Sequence, residues 1–156
     1  MHQLARTPEA QQLSQALVTH GKKMTTQRGV NNAELEHLYT RGKTHYALGN
    51  YNEALADFAY LTLHKPDEHR FHLMLGWALH RVQQHAHALK FFNYALLLNA
   101  DDPTSSYGIA SCLLALGEAD NARAVLHIAI EQSYHHPRYH TIRTLSNELL
   151  DKISQH

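Results

Sequence analysis

The sequence has little of what would mark a disulfide-bonded, nucleic-acid-binding or membrane-spanning protein. Its single cysteine, Cys112, excludes an internal disulfide and fits a reducing compartment. Lysine plus arginine and aspartate plus glutamate both number 14, so no basic excess predicts direct binding to nucleic acid. No apolar run reaches the ~18 residues of a spanning helix, and the first residues lack the apolar stretch of a secretory signal. We therefore expect a protein of the cytoplasm that does not insert into membranes.

The sequence also lacks a catalytic constellation. It has no glycine-rich phosphate loop and no nucleophile elbow. Histidine is plentiful, at 15 residues, and His69 shares a helical face with His72. Zinc needs three or four ligands, however, and no cysteine pair or HExxH motif supplies the others. Asp101 and Asp102 could form a carboxylate pair, but they precede a helix, where acidic residues favour capping. We expect no enzyme activity, no metal site and no cofactor.

What the sequence does have is a repeat of 34 residues. Three sets of small or apolar residues recur at this step: Gly42, Gly76 and Ala110; Ala54, Ala88 and Ala122; Phe58, Phe92 and Leu126. Such a period, with small residues in both helices of a hairpin, is the signature of the tetratricopeptide repeat. One hairpin cannot bury its apolar face alone, so stacked hairpins supply the core. The sequence therefore predicts an all-α tetratricopeptide solenoid of three helical hairpins.

The repeats divide the chain into three parts. We expect an N-terminal helix and linker over 1–32, three repeats over 33–136 (about 35–68, 69–102 and 103–136), and a C-terminal capping helix over 137–156. The predicted hairpins pair 33–48 with 51–65, 69–82 with 85–99, and 103–116 with 119–133. The capping helix, over 138–153, should bury the stripe Ile142, Leu145, Leu149 and Ile153. Leu13 and Leu17 form an apolar stripe on the N-terminal helix, which we expect to dock on a second copy of the chain as a homodimer.

The first helices of such hairpins line a concave groove. Counted from the small residue, the groove positions are Tyr39, Lys43 and Tyr46; Leu73, Trp77 and His80; Tyr107, Ser111 and Leu114. Four of these nine are Tyr or Trp, against 8% aromatic residues in the whole chain. Aromatic rings either pack between hairpins or bind a ligand, and they bury large area at low entropic cost. Aromatic grooves also suit extended, proline-rich segments. We therefore predict a peptide-binding groove.

Five segments carry a family resemblance: LEHLY at 35–39, GNYNEA at 49–54, RFHLMLG at 70–76, DP at 102–103 and ASCLL at 110–114. They resemble the class II chaperones of bacterial type III secretion, an LcrH/SycD-like family that holds translocator subunits. The resemblance covers about residues 33–133. It implies a three-repeat all-α protein that binds a P-x-L-x-x-P-type segment of a hydrophobic translocator. The family's groove positions correspond to Tyr39, Tyr46, Phe71, Leu73 and Tyr107.

The expected function is therefore that of a bacterial cytoplasmic chaperone that keeps hydrophobic translocators soluble and secretion-competent, without nucleotide or turnover. Two alternatives stay open. One is a general tetratricopeptide scaffold that joins folded proteins, and the other is a co-regulator of a transcription activator, a role the resemblance also implies. Only the chaperone function requires the solubility of the partner to depend on this chain.

Overall fold

A computed structural model describes residues 31–155, which form seven α-helices and one short 3₁₀ helix. The helices are α1 (Asn32–Ala47), α2 (Tyr51–His64), α3 (His69–Arg81), α4 (His85–Leu98), α5 (Pro103–Ala115), α6 (Ala119–Ser133) and α7 (His140–Ser154), with the 3₁₀ helix at Pro137–Tyr139. Each α-helix packs against its neighbours in the chain, and α3 also contacts α5. The result is three consecutive hairpins followed by a single helix.

The predicted all-α repeat fold is confirmed, and the described helices begin and end within about two residues of the predicted bounds. The predicted N-terminal helix, with Leu13 and Leu17, lies outside the described residues. The division of the chain into three parts stays a prediction. Along 31–155, no helix combines the length and the hydropathy that crossing a bilayer requires.

Polar side chains cap the starts of α1 and α5. Asn31 Oδ1 accepts a hydrogen bond from the backbone N–H of Glu34 at 2.8 Å. Asp102 accepts one from the N–H of Thr104 at 2.9 Å, and Pro103 occupies the first turn of α5. Each cap satisfies an N–H that the helix itself leaves free, which typically contributes ~1 kcal/mol. The predicted capping role at the start of the third hairpin is confirmed for Asp102.

The turn inside each hairpin uses a left-handed residue. Gly49 and Gly117 have φ of 81° and 84°, as expected for glycine at the end of a helix. The middle hairpin places Gln83 at the same point, with φ of 67°. A side chain in this conformation costs energy because Cβ crowds the following carbonyl oxygen. The second turn is therefore strained where the first and third are not.

Glycine in the first helix of a hairpin allows an aromatic ring of the second helix to approach closely. A Cβ built at Gly42 would lie 2.7 Å from the Phe58 ring, and one at Gly76 would lie 2.8 Å from Phe92. Phe92 also meets the next hairpin, since a Cβ at Gly108 would lie 2.5 Å from its ring. Both rings are fully buried. The third hairpin has Ala110 and Leu126 at the two corresponding positions. Alanine is larger than the glycine of the other hairpins, and leucine is smaller than their phenylalanine.

Helix α7 closes the end of the array with a face that differs from the predicted stripe. Ile153 is buried, Ile142 is half-buried, and Leu149 packs against the core of the last hairpin. Leu145, however, is 37% exposed, and Ser146 beside it is completely buried. The prediction was wrong for Leu145, because the buried face of α7 at this turn passes through Ser146 instead.

Candidate functional site: the groove face of the repeat array

The nine predicted groove positions lie on α1, α3 and α5, the first helices of the three hairpins. We call them together the groove face: Tyr39, Lys43, Tyr46, Leu73, Trp77, His80, Tyr107, Ser111 and Leu114. Eight of these side chains are half-buried and Lys43 is exposed. Half-buried rings combine a fixed orientation with apolar area that a ligand can still cover. Their role in binding stays a prediction, which this burial supports.

Phe71 needs a correction. The resemblance assigns it to the groove, but its side chain is only 1% exposed and belongs to the hydrophobic core. Its ring centroid lies 5.6 Å from that of Tyr39. On helix α3 the residue points inward, where it fills the space between the first two hairpins. Phe71 therefore supports Tyr39 from the core side and cannot itself contact a ligand on the surface.

Two cations hold the ring of Tyr39 at the first end of the groove face. The Lys43 ammonium lies 4.6 Å from the ring centroid and the Arg70 guanidinium lies 4.8 Å from it. Arg70 also donates hydrogen bonds to Glu36 at 2.6 Å and Glu68 at 2.7 Å, which raise the pKa of Arg70. Exposed cation–π contacts contribute about 0.5–1 kcal/mol each. These contacts therefore fix the ring without burying it.

Arg70 and Glu36 also belong to this site, and the sequence contains a signal that predicts their contact. The two residues are one repeat apart in sequence, and equivalent positions of successive repeats lie side by side in a solenoid. Opposite charges at such positions predict an ion pair between hairpins.

Tyr46 anchors the far end of α1. Its ring packs edge-on against Tyr51, with centroids 5.3 Å apart. The Arg81 guanidinium lies 4.8 Å from the Tyr51 centroid and donates a hydrogen bond to the Tyr51 hydroxyl. Partial burial raises the pKa of Tyr39, Tyr46 and Tyr107. Their hydroxyl groups therefore stay protonated at neutral pH and can donate to backbone carbonyls of a ligand.

Trp77 joins the second and third hairpins at the centre of the groove face. Its ring centroid lies 4.9 Å from Phe92, 5.8 Å from Tyr107 and 6.0 Å from His80. The Ser111 hydroxyl donates to the backbone oxygen of Tyr107 at 2.9 Å, which leaves its lone pairs for other donors. The aromatic side chains of α3 and α5 thus form one continuous strip.

His80 forms a polar end to this strip. Its Nδ1 lies 2.9 Å from Nδ1 of His85 and 3.8 Å from Sγ of Cys112. Burial lowers the pKa of His80, and the neighbouring His85 and Arg81 lower it further. Burial raises the pKa of the Cys112 thiol to about 12, so the thiol stays protonated and unreactive. Leu114, three residues after Ser111 on α5, packs against the core of the third hairpin.

His69 and His72, which share a helical face, form hydrogen bonds with separate partners. His69 donates from Nδ1 to the Ala95 oxygen at 2.8 Å and from Nε2 to Asp102 at 2.9 Å. The hydrogen bond to Asp102 raises the pKa of His69. His72 donates from Nε2 to the Pro66 oxygen at 2.6 Å. Across the part of the chain that the structure describes, no three His, Cys, Asp or Glu side chains are arranged to hold a metal ion.

The sequence is similar to tetratricopeptide proteins over most of its length. Two family models described as tetratricopeptide repeat match residues 39–105 and 79–145. The low calcium response locus protein H of Yersinia pseudotuberculosis is 25% identical over 147 residues, which cover 94% of this chain and 88% of that protein.

Solved structures share the fold. PcrH, a protein of Pseudomonas aeruginosa, in complex with the chaperone binding region of PopD has a TM-score of 0.77 at 24% identity, covering 83% of this chain and 97% of PcrH. The Yersinia enterocolitica type III secretion chaperone SycD, in complex with a peptide of the translocator YopD, has a TM-score of 0.74 at 26% identity, covering 80% of this chain and 95% of SycD. SycD has also been solved as an alternative dimer. Tetratricopeptide repeats are therefore matched across residues 39–145, and the chain is similar in sequence and fold to the LcrH/SycD-like translocator chaperones of type III secretion.

Proposed function

We propose that this protein is a chaperone of type III secretion that holds an extended segment of a hydrophobic translocator along its groove face. The observation that carries the proposal is the set of half-buried aromatic rings on α1, α3 and α5, in which Trp77 of α3 contacts Tyr107 of α5. The complexes of PcrH with a PopD region and of SycD with a YopD peptide support it, because both relatives bind a segment of their partner on the same fold.

Binding would protect the partner by two physical effects. Apolar side chains of the segment bury their surface against Tyr39, Trp77 and Tyr107, each ring gaining contact area that is otherwise wet. The tyrosine hydroxyl groups donate to backbone oxygens of the segment, which an extended chain exposes. A segment of the Pro-x-Leu-x-x-Pro type loses little entropy on binding, because proline already restricts its backbone. Neither effect requires a cofactor or a catalytic step.

The same proposal gives the protein a cytoplasmic role, in which it keeps the translocator soluble until secretion. It also includes a homodimer in which Leu13 and Leu17 contact a second copy. The direct experiment is co-expression of a hydrophobic translocator that contains a Pro-x-Leu-x-x-Pro segment, with and without this chain. We expect the translocator to be soluble, and to co-purify, only in the presence of the chain.

Two variants sharpen this experiment. Tyr39→Ala combined with Tyr107→Ala removes two anchors and should return the translocator to the insoluble fraction. Tyr94→Ala removes a tyrosine that is 41% exposed on α4, away from the groove face, and should leave the translocator soluble. A translocator that is equally soluble without the chain would instead favour a scaffold that joins folded proteins.

A further inference from the structure

The contact between His80 and His85 has an unusual hydrogen-bond requirement. The two Nδ1 atoms lie 2.9 Å apart and the ring centroids 4.7 Å apart. Two ring nitrogens at this distance need one hydrogen between them, so one must donate and the other must accept. His85 Nε2 lies 3.1 Å from Oε1 of Gln83. An amide oxygen only accepts, so Nε2 of His85 carries a hydrogen.

This arrangement limits how many protons the pair can hold. In the neutral pair, Nδ1–H of His80 donates to His85. One added proton on Nε2 of His80 makes that ring an imidazolium, which still donates from Nδ1 to His85, so the contact persists. A second added proton would place two N–H groups against each other, so the contact would break. The pair therefore accepts one proton while intact and opens when it takes a second.

The surroundings of the pair do not favour positive charge. His80 is half-buried on α3 with Trp77 against it. The charged or titratable groups that face it are Arg81 on its own helix, the Cys112 thiol on α5 and His85 on α4. None of these is a carboxylate, so no anion among them compensates an added proton. Burial and the two neighbouring cationic groups lower the pKa of His80 accordingly.

We infer that the His80–His85 pair makes ligand binding on the groove face proton-dependent, so that an apolar segment lying over His80 binds to the neutral pair and is released on acidification. The inference rests on the proposed function, because it requires a segment to cover this part of the groove face. An apolar segment would remove water from the imidazoles and further disfavour their charged form. By linkage, a ligand that expels a proton binds more weakly when that proton is abundant.

The size of the effect follows from the proton count. If binding expels one proton, affinity falls by up to tenfold for each pH unit below the pKa of the free pair. Unperturbed histidine titrates near pH ~6.5. Because the pKa of His80 lies below this value, we expect the dissociation constant to rise by about three- to tenfold between pH 7.5 and 5.5, with a fraction of a proton released on binding at pH 6.

The test uses the full chain and a synthetic peptide with the Pro-x-Leu-x-x-Pro pattern, capped at both ends and free of ionisable side chains. Isothermal titration at pH 7.5, 6 and 5.5 gives the dissociation constant, and repetition in two buffers of different ionisation enthalpy gives the protons released. The double variant His80→Gln, His85→Gln should show the same dissociation constant at pH 7.5 and 5.5 and release no proton. The control His127→Gln changes an exposed histidine on α6 and should keep the wild-type pH dependence.

Each outcome decides the inference. A wild-type dissociation constant that is equal at both pH values, or a double variant that keeps the wild-type dependence, would overturn the proton coupling while leaving the chaperone function standing. Absence of peptide binding at every pH would overturn the proposed function and the coupling with it. NMR titration of the free protein adds an independent measurement. Independent titration of the His80 and His85 rings would contradict the shared-proton arrangement.

Discussion

Substitution of Gly42 by alanine tests whether close backbone approach holds the hairpins together. Alanine normally stabilises a helix interior by ~1 kcal/mol relative to glycine. At this site, however, the new Cβ would lie 2.7 Å from the Phe58 ring, where ordinary contact begins at 3.4 Å. Phe58 is fully buried within the hydrophobic core, and protein cores are close-packed, so its ring can move only by displacing its neighbours. Overpacking of this kind costs about 1–3 kcal/mol, so we expect a net destabilisation of up to ~2 kcal/mol.

The third hairpin suggests the compensating change, because it pairs alanine with leucine at these two positions. Phe58→Leu alone removes buried carbon atoms and should cost about 1–2 kcal/mol. The double variant Gly42→Ala, Phe58→Leu should be more stable than the sum of the two single effects by at least ~1 kcal/mol, since leucine leaves room for the methyl group.

Urea unfolding followed by far-UV circular dichroism measures all four members of this cycle. Stabilisation of the protein by Gly42→Ala, by the ~1 kcal/mol that helix propensity alone predicts, would contradict the close contact with Phe58. Additivity of the two changes within about 0.3–0.5 kcal/mol, as is usual for residues that do not touch, would contradict it as well.

Three further predictions concern other parts of the chain. Gln83→Gly should stabilise the protein by ~1 kcal/mol in the same urea assay, because Gln83 has φ of 67° and glycine adopts this conformation without strain; no gain in stability would contradict the strained turn. Deletion of residues 1–20 should convert a dimer into a monomer in sedimentation, with helicity per residue almost unchanged, whereas an unchanged oligomeric state would remove Leu13 and Leu17 from the interface. His69→Gln should destabilise the protein by about 1–3 kcal/mol at pH 6 and by less at pH 8.5. The hydrogen bond to Asp102 raises the pKa of His69, so its stabilisation is complete below the unfolded pKa of ~6.5 and is lost as pH rises through the folded pKa. Equal destabilisation at both pH values in urea unfolding would rule out a charged His69.

The helices and their order could be predicted from sequence because the 34-residue period fixes them. Small residues at Gly42 and Gly76 locate the contact between the helices of a hairpin, and the groove positions follow by counting from them. The close contact at Gly108 could not be predicted in this way. Gly108 is outside the periodic set of small residues. Its contact with Phe92 lies between two hairpins, so the pattern within one repeat does not indicate it.

The same limit explains the errors within the candidate site. The family resemblance assigns Phe71 to the groove, but the packing of the neighbouring hairpin decides whether a ring is covered, and it covers Phe71. The charges around Tyr39 come partly from Arg70 on the neighbouring hairpin. The contact of His80 with His85 depends on the left-handed turn at Gln83, which brings the ends of α3 and α4 together. Such contacts belong to the assembled array and not to one repeat.

Peptide titration of tyrosine variants is the decisive measurement of binding along the groove face. Tyr39, Tyr46 and Tyr107 lie on the first and third hairpins, so one segment that touches all three must span the array. A translocator-derived peptide should quench or enhance Trp77 fluorescence on binding, and each Tyr→Ala change should weaken its affinity by about 1–3 kcal/mol with little loss of stability. The control Tyr94→Ala should bind like the wild type, and the affinity should change little with salt, because Lys43 is the one formal charge on the groove face and Arg70 is neutralised by its carboxylates. Wild-type affinity in all three groove variants, or a steep dependence on salt, would contradict binding along the groove face.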